Sequence, residues 1–461
     1  MDYRIEKDVI GDMRVPNNAY WGVHTQRALS NFPLSALRVN PGLIRAYALV
    51  KKACAQTNAQ LGFLDTGKAT AIIAACNELA EGKFQDQFPV DALQGGAGTS
   101  TNMNVNEVIA NRAIEMLGKA KGDYTCVNPL EHVNLNQSTN DTYPTALKIA
   151  AITQLRALSQ AVAGLQGAFQ KKEKEFAAIV TIGRTEMQEA VPITLGAEFG
   201  AFAEAFGRDR WRTFKCEERL RLVNIGGTAV GTGITAPRSY IFLVIDKLRE
   251  ITGLGLARGE NVLDQTANTD CFVEVSGILK AHASNLIKIC NDLRLKNLLG
   301  EIKLPALQAG SSIMPGKVNP VMLEAGIQAG MKVIANDLII TESCSRSTLQ
   351  INEFLPVLAH SLLESLDILI SINNALAQHI AQISANEQAC RGYFEKSPMI
   401  ITALVPHIGY DKAAGIIKEF FASGRENLKA FLSEKLDKQL VERIFSPYNL
   451  TALGYKDEKN T

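Results

Sequence analysis

The sequence predicts an all-α protein built around a central bundle of long helices, from about residue 138 to residue 388. Proline is scarce in this stretch: two prolines occur between Pro144 and Pro305, and one between Pro320 and Pro398. Because proline breaks the interior of a helix, these gaps leave room for unusually long helices. The chain also shows no run of short alternating strands, no regular repeat and no low-complexity linker, which favours a helical fold.

Apolar side chains recur at helical spacing in two of the predicted long helices. The first seam consists of Leu155, Leu158, Val162, Leu165 and Phe169. The second consists of Val275, Leu279, His282, Leu286, Ile289 and Leu293. Alternation by three and four residues puts such side chains on one face, where they pack long helices side by side. We expect His282 to be a hydrogen-bonded core histidine rather than a ligand.

Segments that carry proline and glycine flank the predicted bundle. They divide the chain into an N-terminal domain of residues 1–137, the central bundle of residues 138–388, and a small helical C-terminal domain of residues 389–461. A bundle with apolar seams on several faces usually buries them against copies of itself. The sequence therefore predicts an oligomer.

Composition narrows the class of protein. Apolar residues make up 46% of the chain, and the formal net charge of +1 leaves no basic excess for binding nucleic acid. The opening residues MDYRIEKDVIGDMR are charged throughout, and no uninterrupted apolar stretch approaches the roughly 20 residues that span a bilayer. Eight cysteines are scattered singly, which predicts reduced thiols and no metal site. We expect a cytoplasmic protein without nucleic acid or membrane partners.

Four short stretches rich in polar residues interrupt the apolar pattern. They are GGAGTSTNMNVNE at 95–107, HVNLNQSTNDTYPT at 132–145, GRTEMQEAVP at 183–192 and GSSIMPGKVNP at 310–320. Ser, Thr and Asn favour helix caps and turns, so a cap is an alternative for any one stretch. Together the four supply many neutral hydrogen-bond donors, a few cations and hardly any metal ligands. That set is suited to binding a small carboxylate and stabilising oxyanion charge.

The stretch 310–320 is not a nucleotide phosphate loop. Five residues separate Gly310 from Gly316, and Val318 follows Lys317 where such a loop requires Ser or Thr. A further glycine-rich stretch, GGTAVGTG at 226–233, is equally consistent with a helix terminus and with ligand contact.

These stretches resemble the fumarase/aspartase superfamily in type and order, over nearly the whole chain. Four segments are closer to its aspartase branch than to class II fumarases: YWGVHTQR, DQFPVDALQGGAGTS, STNDTYPT and NPVMLEA. The resemblance implies a homotetramer around a large bundle of long helices, with each active site formed by segments from three chains. It also implies reversible anti-elimination of ammonia from L-aspartate to give fumarate, without a metal or cofactor. Dehydration of malate, or elimination from a close aspartate analogue, is the alternative.

The resemblance implies roles for particular residues. Ser311 matches the catalytic base, and Glu324 matches a glutamate that supports the lysine region. The substrate-binding positions are Thr99, Ser138, Thr139, Asn140, Thr185, Glu186, Ser312, Lys317 and Asn319. Serine is a poor base at its ordinary pKa, so Ser311 requires a nearby cation and a site without water. A loop hinged at its two glycines could close to provide both.

Three features depart from the family pattern, and one of them is the altered segment LQINEFLPVL, with Leu355 before the proline. Glu186 stands near the leaving group, where His or Gln is usual; a carboxylate there favours an ammonium over a hydroxyl. The alternative is that Glu186 points outward from a helix surface. Before the serine loop, the segment NDLRLKNLLGEIKLP is several residues shorter than in fumarases and aspartases, which could reshape the site.

A catalytically inactive helical scaffold is a further alternative. Such a protein would be free to lose Ser311, Lys317 or Asn319, and all three are present. His132 is assigned no role.

Overall fold

The computed structural model describes residues 2–455 of the 461-residue chain. Five helices of 25 to 37 residues form its longest elements, all within the stretch predicted to hold the bundle. They are α5 (Thr139–Glu175), α6 (Leu195–Leu220), α9 (Asp270–Leu298), α10 (Val321–Ser345) and α11 (Leu355–Ala381). The prediction of a mainly helical fold with a long-helix centre is therefore confirmed.

Shorter helices occupy the rest of the chain. They are α1 (Val23–Asn31), α2 (Pro41–Gln60), α3 (Thr66–Ala80), α4 (Thr99–Met116), α7 (Arg238–Thr252), α8 (Val262–Ala267), α12 (Glu387–Lys396), α13 (Val405–Ile408), α14 (Tyr410–Ala422), α15 (Leu428–Lys435), α16 (Lys438–Ile444) and α17 (Pro447–Thr451). Short 3-10 helices cover Gln85–Gln87 and Pro398–Leu404, and one π-helical turn covers Pro129–Val133.

Small two-stranded sheets accompany the helices, which the sequence did not predict. Their strands are β1 (Tyr3–Asp8), β2 (Gly11–Pro16), β3 (Val180–Thr185), β4 (Gln188–Thr194), β5 (Leu222–Val223), β6 (Ala257–Arg258), β7 (Ile302–Lys303) and β8 (Ser384–Ala385). The pairs β1–β2, β3–β4 and β7–β8 are antiparallel, and β5–β6 is parallel. The polar stretch 183–192 thus lies in a hairpin rather than at a helix cap.

Both predicted apolar seams are buried, from Leu155 to Phe169 and from Val275 to Leu293. His282 is 1% exposed, with its Nδ1 3.0 Å from Asp209 Oδ2 and its Nε2 2.8 Å from Asn373 Nδ2. The prediction of a hydrogen-bonded core histidine is confirmed.

The chain forms two compact units, each assembled from separated segments. The first comprises Met1–Ser159, Arg212–Ala281 and Lys332–Leu369; the second comprises Gln160–Trp211, His282–Met331 and Ile370–Thr461. In the first unit α2 packs against α3 and α7, and α3 packs against α4. The division into three consecutive domains stays a prediction.

The second unit contains an apolar core formed by its C-terminal helices. Phe394, Phe420, Phe431 and Phe445 are buried in this core, and strand β3 contributes Ile182. Because β3 packs against α12 and β4 packs against the 3-10 helix Pro398–Leu404, the β3–β4 hairpin is held on this core.

Helix α11 is long and apolar enough, by length and composition, to cross a membrane. Polar residues interrupt it, so it is not one of the uninterrupted apolar stretches that the sequence analysis looked for. In the most apolar window of this helix, 61% of the residues are buried inside the protein. The buried core helix of a protein can have the same length and composition, so α11 does not by itself indicate a membrane span.

Candidate active site

The predicted serine loop lies between β7 and α10 and closes on itself at its base. The backbone N–H of Gly310 donates to the carbonyl oxygen of Lys317 at 2.7 Å, and Asn319 Nδ2 donates to the carbonyl oxygen of Gly310 at 2.9 Å. A Cβ on Gly310 would lie 2.7 Å from that lysine oxygen, so this closure requires glycine. Gly316 adopts a φ of 83°, which also favours glycine.

Ser311 is half-buried at the start of this loop. Its Oγ accepts hydrogen bonds from the backbone N–H groups of Ile313 at 3.2 Å and of Met314 at 3.0 Å. Two donors on one hydroxyl oxygen stabilise negative charge on that oxygen. These two contacts hold the Ser311 oxygen in place and would stabilise its charge if the hydroxyl lost its proton.

The other predicted residues of this segment occupy different positions. Ser312 and Lys317 are exposed on the loop. Asn319 fastens the base of the loop through its bond to Gly310, and Glu324 lies half-buried in the first turn of α10. One closed loop thus presents Ser312 and Lys317 to solvent, next to the half-buried Ser311.

Thr185 and Glu186 lie at the tip of the β3–β4 hairpin. Thr185 pairs with Gln188, so Glu186 and Met187 form a two-residue turn, with φ values of 52° and 60°. Such a turn requires positive φ at both residues and usually contains Asn-Gly. Neither residue is Gly, Asn or Asp, and backbone strain of this kind is concentrated at functional sites. Glu186 is exposed, as the alternative interpretation expected, but it lies on a hairpin turn and not on a helix surface.

A buried charge network fixes the base of this hairpin. Arg184 Nη1 donates to Glu301 Oε1 at 2.9 Å, and the guanidinium lies 4.8 Å from the ring centre of Tyr393. Lys296 Nζ lies 2.8 Å from Glu301 Oε2. Burial alone would raise the pKa of Glu301, but the neighbouring cations and the Thr181 hydroxyl hold this pKa below its ordinary value. The turn residues are therefore presented on a rigid support.

Thr99 lies at the N-terminus of α4, in the first unit. Gly96, Ala97 and Gly98 precede it with consecutive φ values of 86°, 56° and 89°. A Cβ on Gly98 would lie 2.1 Å from Cδ2 of Tyr143, so only glycine permits this approach to α5. The first turn of α4 contains no acidic residue, and Gln94 Oε1 accepts from the backbone N–H of Thr101 at 2.9 Å. The positive end of a helix dipole favours an anion.

Ser138 caps α5. Its backbone N–H donates to Asp141 Oδ1 at 3.0 Å, while its Oγ accepts from the backbone N–H of Asn140 at 3.2 Å. This reciprocal arrangement is a capping box. Because Ser138 Oγ serves as an acceptor within the chain, its own hydrogen remains available to a ligand.

Asp141 joins this helix end to the glycine-rich stretch 226–233. Its Oδ2 accepts from the backbone N–H groups of Gly226 at 3.1 Å and of Thr228 at 2.9 Å. Asn140 Nδ2 donates to the carbonyl oxygen of Ala229 at 2.7 Å. Burial raises the pKa of Asp141 to about 7, although its three backbone donors act in the opposite direction. The glycine-rich stretch therefore supports the end of α5 that carries Asn140 and Asp141.

Asn102 connects the ends of α4 and α5. Its Nδ2 donates to Thr139 Oγ1 at 3.1 Å, and its Oδ1 lies 3.3 Å from Thr142 Oγ1. The first unit thus brings Thr99, Ser138, Thr139 and Asn140 to two connected helix ends.

Sequence reasoning missed Asp141 and Asn102. Both lie inside polar stretches that it singled out, but neither matched a family position. Their side chains bond to other groups of the chain and so support the positions of Ser138 and Thr139. His132, to which we assigned no role, lies in the π-helical turn with its Nδ1 2.8 Å from the backbone nitrogen of Asn128.

Within residues 2–455, no group of three or more His, Cys, Asp or Glu side chains could hold a metal ion.

Comparison with known proteins yields consistent matches. The family described as "Lyase" matches residues 11–335, and the one described as "Fumarase C C-terminus" matches residues 400–452. An aspartate ammonia-lyase from a Bacillus species is 43% identical over 466 residues, which cover 99% of each chain.

Solved structures agree with these sequence matches. The fumarate lyase:delta crystallin from Brucella melitensis bound to cobalt is 44% identical with a TM-score of 0.93, covering 98% of this chain and 100% of that one. A class II fumarase from Schistosoma mansoni is 30% identical with a TM-score of 0.90, covering 97% of this chain and 98% of that one. The resemblance inferred from the polar stretches is confirmed: the chain belongs to the fumarase/aspartase lyase family.

Proposed function

We propose that the protein is an aspartate ammonia-lyase, which converts L-aspartate to fumarate and ammonia by reversible anti-elimination. The geometry of Ser311 is the observation that carries this proposal, because two backbone N–H groups already surround the oxygen that must act as base. Similarity to aspartate ammonia-lyases over 99% of the chain gives the substrate class.

In the first step, ionised Ser311 takes a proton from the carbon beside the side-chain carboxylate of aspartate. The electron pair of that C–H bond moves into the carboxylate, which gains a second negative charge. Each preorganised donor aimed at such an oxyanion is worth roughly 3 to 4 kcal/mol in comparable sites. The Thr99, Ser138 and Thr139 hydroxyls and the backbone N–H of Ser312 are the donors that we assign to this charge.

In the second step, the electron pair held in the carboxylate forms the carbon–carbon double bond of fumarate as the C–N bond breaks, and the bonding electrons leave with nitrogen as ammonia. The substrate nitrogen is already protonated as an ammonium, so its departure needs no general acid. Lys317 and Asn319 hold the other carboxylate and thereby fix the rotation that brings the C–H and C–N bonds anti to each other. Thr185 contacts the substrate near the leaving group, and Glu186 is placed to attract its ammonium.

We further propose a homotetramer in which segments from three chains form each site. The exposed apolar residues of α10 support this, because Met331, Ile334, Leu338 and Ile339 are at least 37% exposed in the single chain. An apolar helix face of this kind usually packs against another copy. The eight cysteines are all free, which fits a reducing cytoplasm.

Incubation of the purified protein with L-aspartate tests the proposal. We expect stoichiometric fumarate and ammonia, and the reverse reaction should form L-aspartate from fumarate and ammonium. A protein that releases no ammonia from aspartate, but dehydrates malate, would be a fumarate hydratase instead.

A further inference from the structure

Lys51 is a buried cation to which the reaction described above gives no role. It lies in α2 and is 0% exposed. Its Nζ donates to Asn134 Oδ1 at 3.0 Å and to Gln137 Oε1 at 2.8 Å. Both acceptors belong to the segment that leads into Ser138. The buried charge of Lys51 is therefore hydrogen bonded to the residues that directly precede the Ser138 and Thr139 hydroxyls, which we assign to substrate binding.

Lys51 contributes to the orientation of both amide groups. For Asn134 it acts together with Asn106 Nδ2, which donates to the same Oδ1 at 3.1 Å, and with the carbonyl oxygen of Gln137, which accepts from Asn134 Nδ2 at 3.2 Å. A protonated lysine carries only hydrogen-bond donors, so the atoms of Asn134 and Gln137 that face it must be their oxygens. The nitrogen of Gln137 consequently points the other way, where Nε2 donates to the carbonyl oxygens of Val133 at 3.0 Å and Leu135 at 3.1 Å. If the amide of Gln137 were flipped, its nitrogen would face Lys51 and its oxygen would face two carbonyl oxygens. Only the observed orientation therefore satisfies Lys51 and the carbonyl oxygens of Val133 and Leu135.

Asn134 transmits this orientation to Thr139. The same Oδ1 that accepts from Lys51 also accepts from Asn102 Nδ2 at 3.2 Å. Asn102 must therefore present its nitrogen, which donates its second hydrogen to Thr139 Oγ1 at 3.1 Å. Thr139 Oγ1 is thereby used as an acceptor, and its own hydrogen is left to point elsewhere.

We propose that Lys51 is a positioning residue of the lyase: through Asn134 and Asn102, it makes the Thr139 hydroxyl present its hydrogen to the substrate carboxylate. This inference rests on the proposed function, in which that carboxylate gains charge during proton abstraction. A hydroxyl free to rotate would offer its lone pairs to the carboxylate for part of the time. Since preorganised donors stabilise a developing oxyanion, loss of this orientation weakens the transition state more than the ground state.

A double-mutant cycle distinguishes this relay from a purely structural role. Lys51→Met removes the donors at similar length, and Thr139→Val removes the hydroxyl while keeping the shape of the side chain. We expect Lys51→Met to lower kcat/KM for L-aspartate roughly 10- to 100-fold in the wild type, as for loss of a hydrogen bond to a charged group. In the Thr139→Val background the same change should cost less than about threefold, because residues that act through one another are not additive. Equal losses in the two backgrounds would overturn the relay.

Lys148 provides the matched control. It is also buried, and its Nζ donates to the carbonyl oxygen of Leu222 at 2.7 Å and to Gln265 Oε1 at 3.1 Å. Neither acceptor leads to Thr139 through Asn102. Whatever the size of its effect, Lys148→Met should therefore lower kcat/KM by the same factor with and without Thr139→Val.

Asn134→Leu is the second variant, and it keeps the charge of Lys51 while removing the oxygen shared with Asn102. It should reproduce the loss caused by Lys51→Met and the same coupling to Thr139→Val. Independent effects of Asn134→Leu and Thr139→Val would contradict the relay even if Lys51→Met does not fold. Circular dichroism and thermal melting establish which variants are folded. If the wild type acts on malate instead of aspartate, the proposed function fails, and the cycle is run with malate to judge the relay separately.

Discussion

The side-chain oxygen of Ser311 lies 3.0 Å from the backbone nitrogen of Met314 and accepts its N–H as a hydrogen bond. A second N–H, from Ile313, donates to the same oxygen. The backbone of the loop thus places two donors on the Ser311 oxygen, which would stabilise its charge if the hydroxyl lost its proton. The backbone N–H of Gly310 and the side chain of Asn319 fasten the base of the loop, so the contacts to Ser311 lie within one closed segment.

Replacement of Ser311 tests its role as the base. Ser311→Ala should lower kcat about 10²- to 10⁴-fold, which is the usual range for loss of a general base. Substrate binding and oligomeric state should be nearly unchanged, because the loop closure does not depend on this hydroxyl. Steady-state kinetics and inhibitor binding measure the two effects. Ser312→Ala is the control, since it keeps the backbone N–H that we assign to substrate and should lose far less activity. A Ser311→Ala enzyme with a tenth of wild-type turnover would exclude Ser311 as the base.

The pH dependence of kcat/KM tests the charge of Lys51. Burial lowers the pKa of this lysine to about 8, so it is charged below that pH and neutral above it. A neutral amine donates weaker hydrogen bonds than an ammonium, so Lys51 then contributes less to the orientation of Asn134, although Asn106 Nδ2 still donates to Asn134 Oδ1 at 3.1 Å. We expect kcat/KM to fall as the pH rises through about 8, and this alkaline limb should be missing in Lys51→Met.

The groups that face Lys51 do not account for such a limb. Cys54 of the same helix and Cys76 of α3 are buried thiols whose pKa values burial raises to about 12, so they stay neutral. Asp141 of α5 has a pKa raised to about 7 by burial and is ionised above that pH, where it favours charged Lys51. An identical alkaline limb in Lys51→Met would assign it to another group.

Glu186 decides between an ammonium and a hydroxyl as the leaving group. Glu186→Gln keeps the shape of the side chain and removes its charge. We expect KM for L-aspartate to rise roughly fivefold, about 1 kcal/mol for an exposed charge pair, with a smaller change in kcat. Efficient dehydration of malate should not arise. The opposite pattern, in which kcat falls at unchanged KM, would indicate that protonated Glu186 acts as an acid.

Mixed oligomers test the assembly of the site from several chains. Thr185→Ala and Ser311→Ala should each be nearly inactive alone. After subunit exchange, about one quarter of the sites should draw both intact residues from different chains by random assortment in a symmetric tetramer. Activity should therefore return on mixing, in proportion to the exchanged fraction measured by native mass spectrometry. Complete exchange without recovery would place both residues on one chain.

Local patterns were sufficient to predict the helices and the serine loop. The seam from Leu155 to Phe169 is buried as its spacing indicates, and His282 is hydrogen bonded in the core. The β3–β4 hairpin was missed because its turn consists of Glu186 and Met187, which lack the Asn-Gly signal of such turns. The exact conformation of that turn depends on the C-terminal core that holds its strands.

Long-range contacts account for the supporting residues that sequence reasoning missed. Asp141 and Thr228 are 87 residues apart, and nothing local to either predicts their hydrogen bond. Lys51 stands beside Lys52 in an ordinary helical sequence, yet Lys51 is fully buried and Lys52 is half-buried. Only the packing of α2 against its neighbours distinguishes the two lysines.

The most direct test of the central claim is a competition between L-aspartate and L-malate for the wild-type enzyme. Both substrates are supplied at equal concentration, and the initial rates of ammonia release and of malate consumption give the ratio of the two kcat/KM values. Ser311→Ala, purified in parallel, corrects for contaminating lyases. The proposed function predicts a ratio strongly in favour of aspartate, with the activity lost in Ser311→Ala. Faster dehydration of malate than deamination of aspartate would contradict it, and the chain would then act as a fumarate hydratase.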